Sequence, residues 1–283
     1  MADVEVTTGD TRRFPWAVGT FASRAAVTSG NAVHKAAAEV ARQAREVAAE
    51  ALEADPEDLE LVDGSVRVRG TPTKQIPLKH VAVLSNPLRY AWDEDAAAAT
   101  QFAAAPQPVE PGSFGAPPVR EGTAPGLEAR DFYSPPGATF ANGCHACIVE
   151  IDPATEAVTI LDYAVVHDCG RLLNPMVVEG QIHGGVAQGI GGALYEKLAY
   201  DEEGQLVTAS FMDFLIPYAT EIPDIRIDHL ETPSPLNPLG IKGAGEAGVI
   251  PVEAAISAAI ADAGPPGSRA PSGKSITSAS AGG

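Results

Sequence analysis

The chain has 283 residues, with 19 Lys and Arg against 37 Asp and Glu, a formal net charge of −18. Polyanions are bound through clustered cations, so this balance argues against nucleic acid or an anionic membrane surface as a partner. Apolar residues make up 45%, and 28 glycines and 24 prolines predict a folded, loop-rich chain with closely approaching backbones. No apolar run reaches the roughly 18 residues of a spanning helix. The first residues carry acid where a secretion signal carries base, and three cysteines are too few for a disulfide framework. The expected location is the cytoplasm.

In chain order, Val4 and Val6 alternate with acids and predict a half-buried strand, followed by a turn at Gly9-Asp10-Thr11 and a loop from Pro15 to Gly30. Asn31 starts a helix. Val33, Ala37, Val40, Ala44, Val47 and Ala51 recur at spacings of four and three, which predicts one buried face. Asp55-Pro56 reads as a cap and first-turn proline. Leu59, Leu61, the Asp63-Gly64 turn, Val66 and Val68 form a hairpin pattern. Residues 91–133, rich in Ala and Pro, show no apolar period and read as a surface connector.

Beyond it, Ala146, Ile148 and Ile151 lead through an Asp152-Pro153 turn to a second strand with Val158, Ile160, Tyr163 and Val165. Asn174-Pro175 opens a helix expected to reach about Tyr200. Residues 206–216 and 225–231 read as further strands, and Pro251 opens a last helix with Val252, Ala255, Ile256, Ala259 and Ile260 inward. From Gly264 to Gly283 the composition cannot order itself. The expected organisation is 1–90, a loop, helix and hairpin; 91–133, the connector; 134–263, a second folded part; and 264–283, a disordered tail.

Four patterns bear on chemistry. Cys144 and Cys147 sit three apart on a predicted strand, so their sulfurs diverge and strand packing outweighs metal binding. Gly243-Ala244-Gly245-Glu246-Ala247-Gly248 matches a dinucleotide fingerprint. Three prolines between Thr232 and Pro238 separate it from the preceding strand, and no acid-ending strand follows, which argues against a nicotinamide-binding turn. The helix after Asn174 carries six glycines from Gly180 to Gly192, each costing roughly 1 kcal/mol relative to alanine. It needs a backbone or cofactor packed against it, and Gln181 and Gln188 share a face. Finally, Gly19-Thr20-Phe21-Ala22-Ser23-Arg24 offers hydroxyl and N–H groups ahead of a helix, which suits an anion.

Taken together, Gly9-Asp10-Thr11, Gly19 to Arg24, Gly30-Asn31-Ala32-Val33, Asp168-Cys169-Gly170, Asn174-Pro175, Glu179-Gly180-Gln181-Ile182, Gln188-Gly189-Ile190-Gly191 and Lys242-Gly243-Ala244-Gly245-Glu246 resemble the molybdopterin-binding large subunit of the xanthine dehydrogenase and aldehyde oxidase family, which includes aerobic carbon monoxide dehydrogenase. The resemblance covers about residues 4–263 and only the C-terminal third or so of that subunit. The change at Gly264 is expected to mark a shifted reading frame or truncated gene.

The resemblance implies an α+β fold: mixed sheets with packed helices, the C-terminal part of a molybdenum-cofactor-binding domain. It also implies oxidative hydroxylation of an aldehyde, an N-heterocycle or carbon monoxide with water as oxygen source. Glu246 resembles the general base. Gln188 resembles the glutamine whose amide contacts the molybdenum oxo group. Ala22, Ser23 and Arg24 resemble the loop touching the pterin or its phosphates, with Gln181 and Gly245 as further cofactor contacts. The cofactor is molybdenum–molybdopterin, the cytosine dinucleotide form among its variants. Iron–sulfur clusters and FAD reside on partner subunits, beside the N-terminal part of the molybdopterin subunit and a small-molecule substrate. Two rival readings are a truncated, non-catalytic remnant or assembly partner, and an autonomous NAD-dependent oxidoreductase.

Overall fold

A computed structural model describes residues 4–14, 19–85 and 126–264. Most of the expected connector and the expected tail after Gly264 lie outside the described residues. The chain divides into two compact units, one of residues 32–133 and one of residues 1–31 with 134–283.

In the 32–133 unit the dominant element is α1 (Asn31–Leu52). Ala44, Ala48 and Leu52, spaced by four, are buried against Leu59, Val66, Ile76 and Val81. Val33, expected on that face, is 68% exposed, and Ala37 is exposed as well. Among the described residues, the elements that form this core cover only the C-terminal half of α1, so the periodicity of its first turns meets no apolar partner there. Asp55 caps a single 3-10 turn by accepting from the Glu57 N–H at 2.9 Å. Strands β1 (Leu59–Val62) and β2 (Ser65–Val68) form the expected hairpin, with positive φ at both Asp63 and Gly64, as a tight turn of that hand requires. Two elements escaped the sequence reading: β3 (Thr71–Pro77), antiparallel to β2, and α2 (Leu78–Leu84). The strand buries only Ile76 fully, so it lacks an alternating pattern.

The other unit holds a three-stranded mixed sheet in the order β4 (Asn142–Ile151), β5 (Val158–Asp168), β6 (Ile225–His229). β4 and β5 are antiparallel, joined at Asp152, whose carboxylate accepts from the Ala154 N–H and the Thr155 hydroxyl. β6 runs parallel to β5, and the connection between them contains α3 (Pro175–Leu194). The helix starts where expected, with the Asn174 side chain accepting from the Val177 N–H, but it ends at Leu194 rather than near Tyr200. Pro251 precedes α4 (Val252–Ala263). Tyr163 and Val165 of β5, Ile182, Val186 and Ile190 of α3, and Val252 and Ile256 of α4 make one core. Each aliphatic side chain buried there contributes about 2 kcal/mol. The architecture is α+β, as the sequence predicts.

Three expectations fail in this unit. Residues 4–8 form no strand, and Val4 and Val6 are 64% and 78% exposed. Residues 206–216 form turns and a single bridge, Leu206 to Tyr200, with Phe211 and Met212 exposed. In both places alternation is present but no partner ladder is, and an unpaired segment does not stay extended. Lastly, the loop expected to reach Gly30 already coils at Ala26–Gly30, a π-helical turn leading into α1.

Candidate functional site

The glycines of α3 divide by surroundings. A Cβ built on Gly185 would stand 2.7 Å from the Gly248 backbone, and one on Gly189 would stand 2.5 Å from the Val252 Cβ. In return, a Cβ on Gly248 would lie 2.7 Å from the Ile182 carbonyl oxygen. The helix and the loop at 243–250 therefore touch backbone to backbone, which meets the expectation that so glycine-rich a helix needs a close partner. On the face turned away from the Ile182–Val186–Ile190 core, Gln181, Gly184 and Gln188 are all exposed, and nothing lies within 4 Å of the place a Gly184 Cβ would occupy. The result is a strip of bare helix backbone with an amide side chain at each end.

Beside this strip the 19–24 loop meets the 243–250 loop. The Ser23 hydroxyl donates to Glu246 Oε2 at 3.0 Å and accepts from the Glu246 N–H at 2.9 Å. Gly245 lies between: its missing Cβ would stand 3.5 Å from Gln181 Oε1 and 3.6 Å from Ser23 Oγ. Ala22 and Ser23 both have φ near +50°, a left-handed conformation costing roughly 1–2 kcal/mol per residue that carries a Cβ. Gly243 accommodates it, since a Cβ there would be 2.6 Å from that of Ser23. The Arg24 guanidinium rests 4.8 Å from the Phe21 ring centroid.

Beneath the loops lies a polar floor. Buried Asn31 donates to the Val27 carbonyl at 2.8 Å and to Asn237 Oδ1 at 3.2 Å, and accepts from the Leu239 N–H at 3.1 Å. Asn237 closes the loop by donating to the Ile241 carbonyl and accepting from the Ile241 N–H. Next in the chain, Lys242 Nζ lies 3.4 Å from Asp168 Oδ1, both side chains 10% exposed. Burial pushes the Asp168 carboxyl up, but hydrogen bonds from Thr232 and Gly170 and the Lys242 charge pull it below the usual carboxylate range. His145 of β4 lies under Ala247, its Nδ1 3.0 Å from the Tyr163 hydroxyl. Burial pushes this imidazole down to about 4, opposed by the nearby Ala247 backbone and helped by the neighbouring His167. Burial also lowers His167, whose ring nitrogens have no hydrogen-bond partner among the described residues.

Of the residues singled out from sequence, Ser23, Gln181, Gly245 and Glu246 come together. Ala22 and Arg24 flank Ser23. Gln188 lies seven residues along α3 from Gln181, on the same exposed face. Both glutamine amides are exposed, not buried as an amide needing internal partners would be. Cys144 is exposed and Cys147 half-buried against the core, so the two sulfurs diverge as expected. Asn237, Lys242 and His145 were not anticipated as parts of this arrangement. Their partners are distant in sequence, up to 206 residues for Asn31 and Asn237, and no local pattern announces such a pair.

Comparison with known proteins adds to this geometry. Residues 1–223 match the sequence profile of the molybdopterin cofactor-binding domain, a stretch that ends before the Glu246 loop. Subunit gamma of the 6-hydroxypseudooxynicotine dehydrogenase complex of Paenarthrobacter nicotinovorans is 38% identical over 262 residues, which is 92% of this chain and 29% of that protein. Reconstituted CO dehydrogenase from Oligotropha carboxidovorans superposes with a TM-score of 0.71 at 33% identity, over 90% of this chain and 28% of that one. Quinoline 2-oxidoreductase from Pseudomonas putida 86 gives 0.68 at 42% identity, over 88% and 28%. The chain thus spans less than a third of the length of these relatives. Among the described residues, no helix is long and apolar enough to cross a membrane.

Proposed function

The chain belongs to the molybdopterin cofactor-binding domain family, and from that premise we propose that it is the C-terminal part of a molybdenum hydroxylase subunit, acting in the cytoplasm. The substrate is an aldehyde, an N-heterocycle or carbon monoxide, hydroxylated oxidatively with oxygen from water. The other parts of the complex are the N-terminal part of the same subunit, an iron–sulfur subunit and an FAD subunit.

The residues present fit the cofactor. The bare strip at Gly184, with the exposed amides of Gln181 and Gln188 at its ends, is open backbone surface that any side chain at 184 would cover. Amide N–H groups suit oxo and phosphate oxygens, as do the N–H groups of Ala22 and Ser23 and the guanidinium of Arg24. These residues and Gly245 would hold molybdenum–molybdopterin, in its cytosine dinucleotide form. Bound there, the group supplies the two-electron oxidation.

This chain's own residues do the rest. Gln188 and Gln181 orient by hydrogen bonding. Glu246 takes up the proton released as oxygen from water is added to the substrate carbon. An exposed carboxylate on a loop without side-chain bulk can be approached closely, which is why glycines on either side matter.

The observation that carries the reading is the Glu246 carboxylate fixed by Ser23 beside Gln181, at the open strip of α3. The test is turnover per molybdenum atom in the assembled complex for Glu246→Gln, beside Glu253→Gln as control. A loss of about 10²–10⁴-fold at unchanged molybdenum content is expected for a removed general base. Equal, near-normal rates in both variants would overturn it.

A further inference from the structure

We propose that Ser23 is the positioning residue of the Glu246 carboxylate and selects which of its two oxygens accepts the proton, an assignment that rests on the reading of Glu246 as base. Its hydroxyl bonds Glu246 at two points, the backbone N–H and Oε2. The hydroxyl hydrogen is committed to Oε2. Oε1 has no hydrogen-bond partner among the described residues, so it is the oxygen left to take a proton.

Among the described residues no other hydrogen bond pins this side chain. Glu246 is exposed, so packing does not restrict its rotamers. The loop, by contrast, is set up to receive the hydroxyl. The Glu246 carbonyl accepts from the Val249 and Ile250 N–H groups, which fixes the backbone turn. Ser23 reaches in from a left-handed conformation, which is uncommon for residues with a Cβ, and the missing side chain of Gly243 leaves room for it. A serine held in such a conformation against a glycine, with both of its hydrogen-bonding roles directed at one carboxylate residue, constrains a group that would otherwise sample several rotamers. A base so held needs less reorganisation before it can act.

Four variants test this: Ser23→Ala, Ser23→Gly, Glu246→Gln and the double Ser23→Ala/Glu246→Gln. Glycine adopts the left-handed conformation freely, so Ser23→Gly removes the hydroxyl without strain and separates its loss from misfolding. In the chain itself, amide exchange at residues 244–248 should rise about tenfold in both Ser23 variants, the loss of one hydrogen bond. In the assembled molybdenum complex both should lower kcat by about tenfold or more with KM and molybdenum content unchanged. The double variant should be no slower than Glu246→Gln alone, because the two residues act as one unit. Unchanged exchange, or losses that multiply in the double variant, would overturn the assignment. If Glu246→Gln keeps full turnover, the base reading fails instead and Ser23 has no proton-accepting group to position. If Glu246→Gln is slow while both Ser23 variants turn over normally, the base reading stands and the positioning role does not.

Discussion

Gly184 and Gly185 are neighbours in α3 with opposite surroundings: a side chain on Gly185 would collide with the Gly248 backbone, and one on Gly184 would meet nothing within 4 Å. One glycine serves packing inside the unit, and the other leaves a surface clear.

This contrast separates folding from binding in a single pair of substitutions. Gly185→Ala should destabilise by about 1–3 kcal/mol through overpacking. Gly184→Ala should stabilise by up to about 1 kcal/mol, since alanine is the better helix former, while lowering molybdenum retention in the assembled complex. Thermal melts and metal analysis of the two variants check both halves. A Gly184→Ala protein that retains its molybdenum fully would remove the strip from the binding surface.

Gln188 lies on the same strip. Gln188→Ala should leave the unfolding free energy within about 0.5 kcal/mol of the parent, as exposed positions usually do, and slow turnover in the complex. Unchanged rate and unchanged cofactor content would reduce Gln188 to an ordinary surface residue.

Acid should loosen the sheet under the loop that carries Glu246. Burial pushes the His145 imidazole down to about 4 from an ordinary 6.5. As pH falls through that window the unfolded chain takes up the proton first, so stability is present above about 6.5, is lost between 6.5 and 4, and changes no further below. The loss is on the order of 2 kcal/mol after allowance for screening. His167, lowered by burial and by the His229 charge, adds in the same direction. Urea denaturation at pH 7.5 and pH 4.5 measures it, and the difference should shrink in His145→Gln.

The amide pair under the loop gives a fourth expectation. Asn237→Ala strips the Asn31 amide of one acceptor and leaves the Ile241 N–H and carbonyl unpaired in a buried place. A loss of about 1–3 kcal/mol should follow. Exchange of the Leu239 and Ile241 amides should rise well before that of β5.

How far the sequence reaches is clear from particular elements. α1, α3, α4 and strands β4 to β6 carry their own signal, because each buries a periodic apolar set or starts at a cap such as Asn174. β3, α2, residues 4–8 and residues 206–216 do not, because their state depends on whether another strand or core lies beside them. At the site, the motifs name Ser23 and Glu246 individually. Their contact joins residues 223 apart and rests on the left-handed turn at Ala22-Ser23, which no composition or period encodes. The exposure of both glutamines was equally illegible, since a shared helix face does not say which face is covered.

The mixed sheet also gives the unit a polarity. The Gly170 turn, the start of α3 and the loop carrying Glu246 all follow the C-terminal ends of β5 and β6, while the Asp152–Ala157 turn enters β5 at its other end. Eleven residues of strand separate the two, roughly 35 Å of extended chain. The turn at Thr155 is therefore a handle: a fluorophore, epitope or surface tether attached there would report on or immobilise the protein from the end of β5 opposite the Gly170 turn.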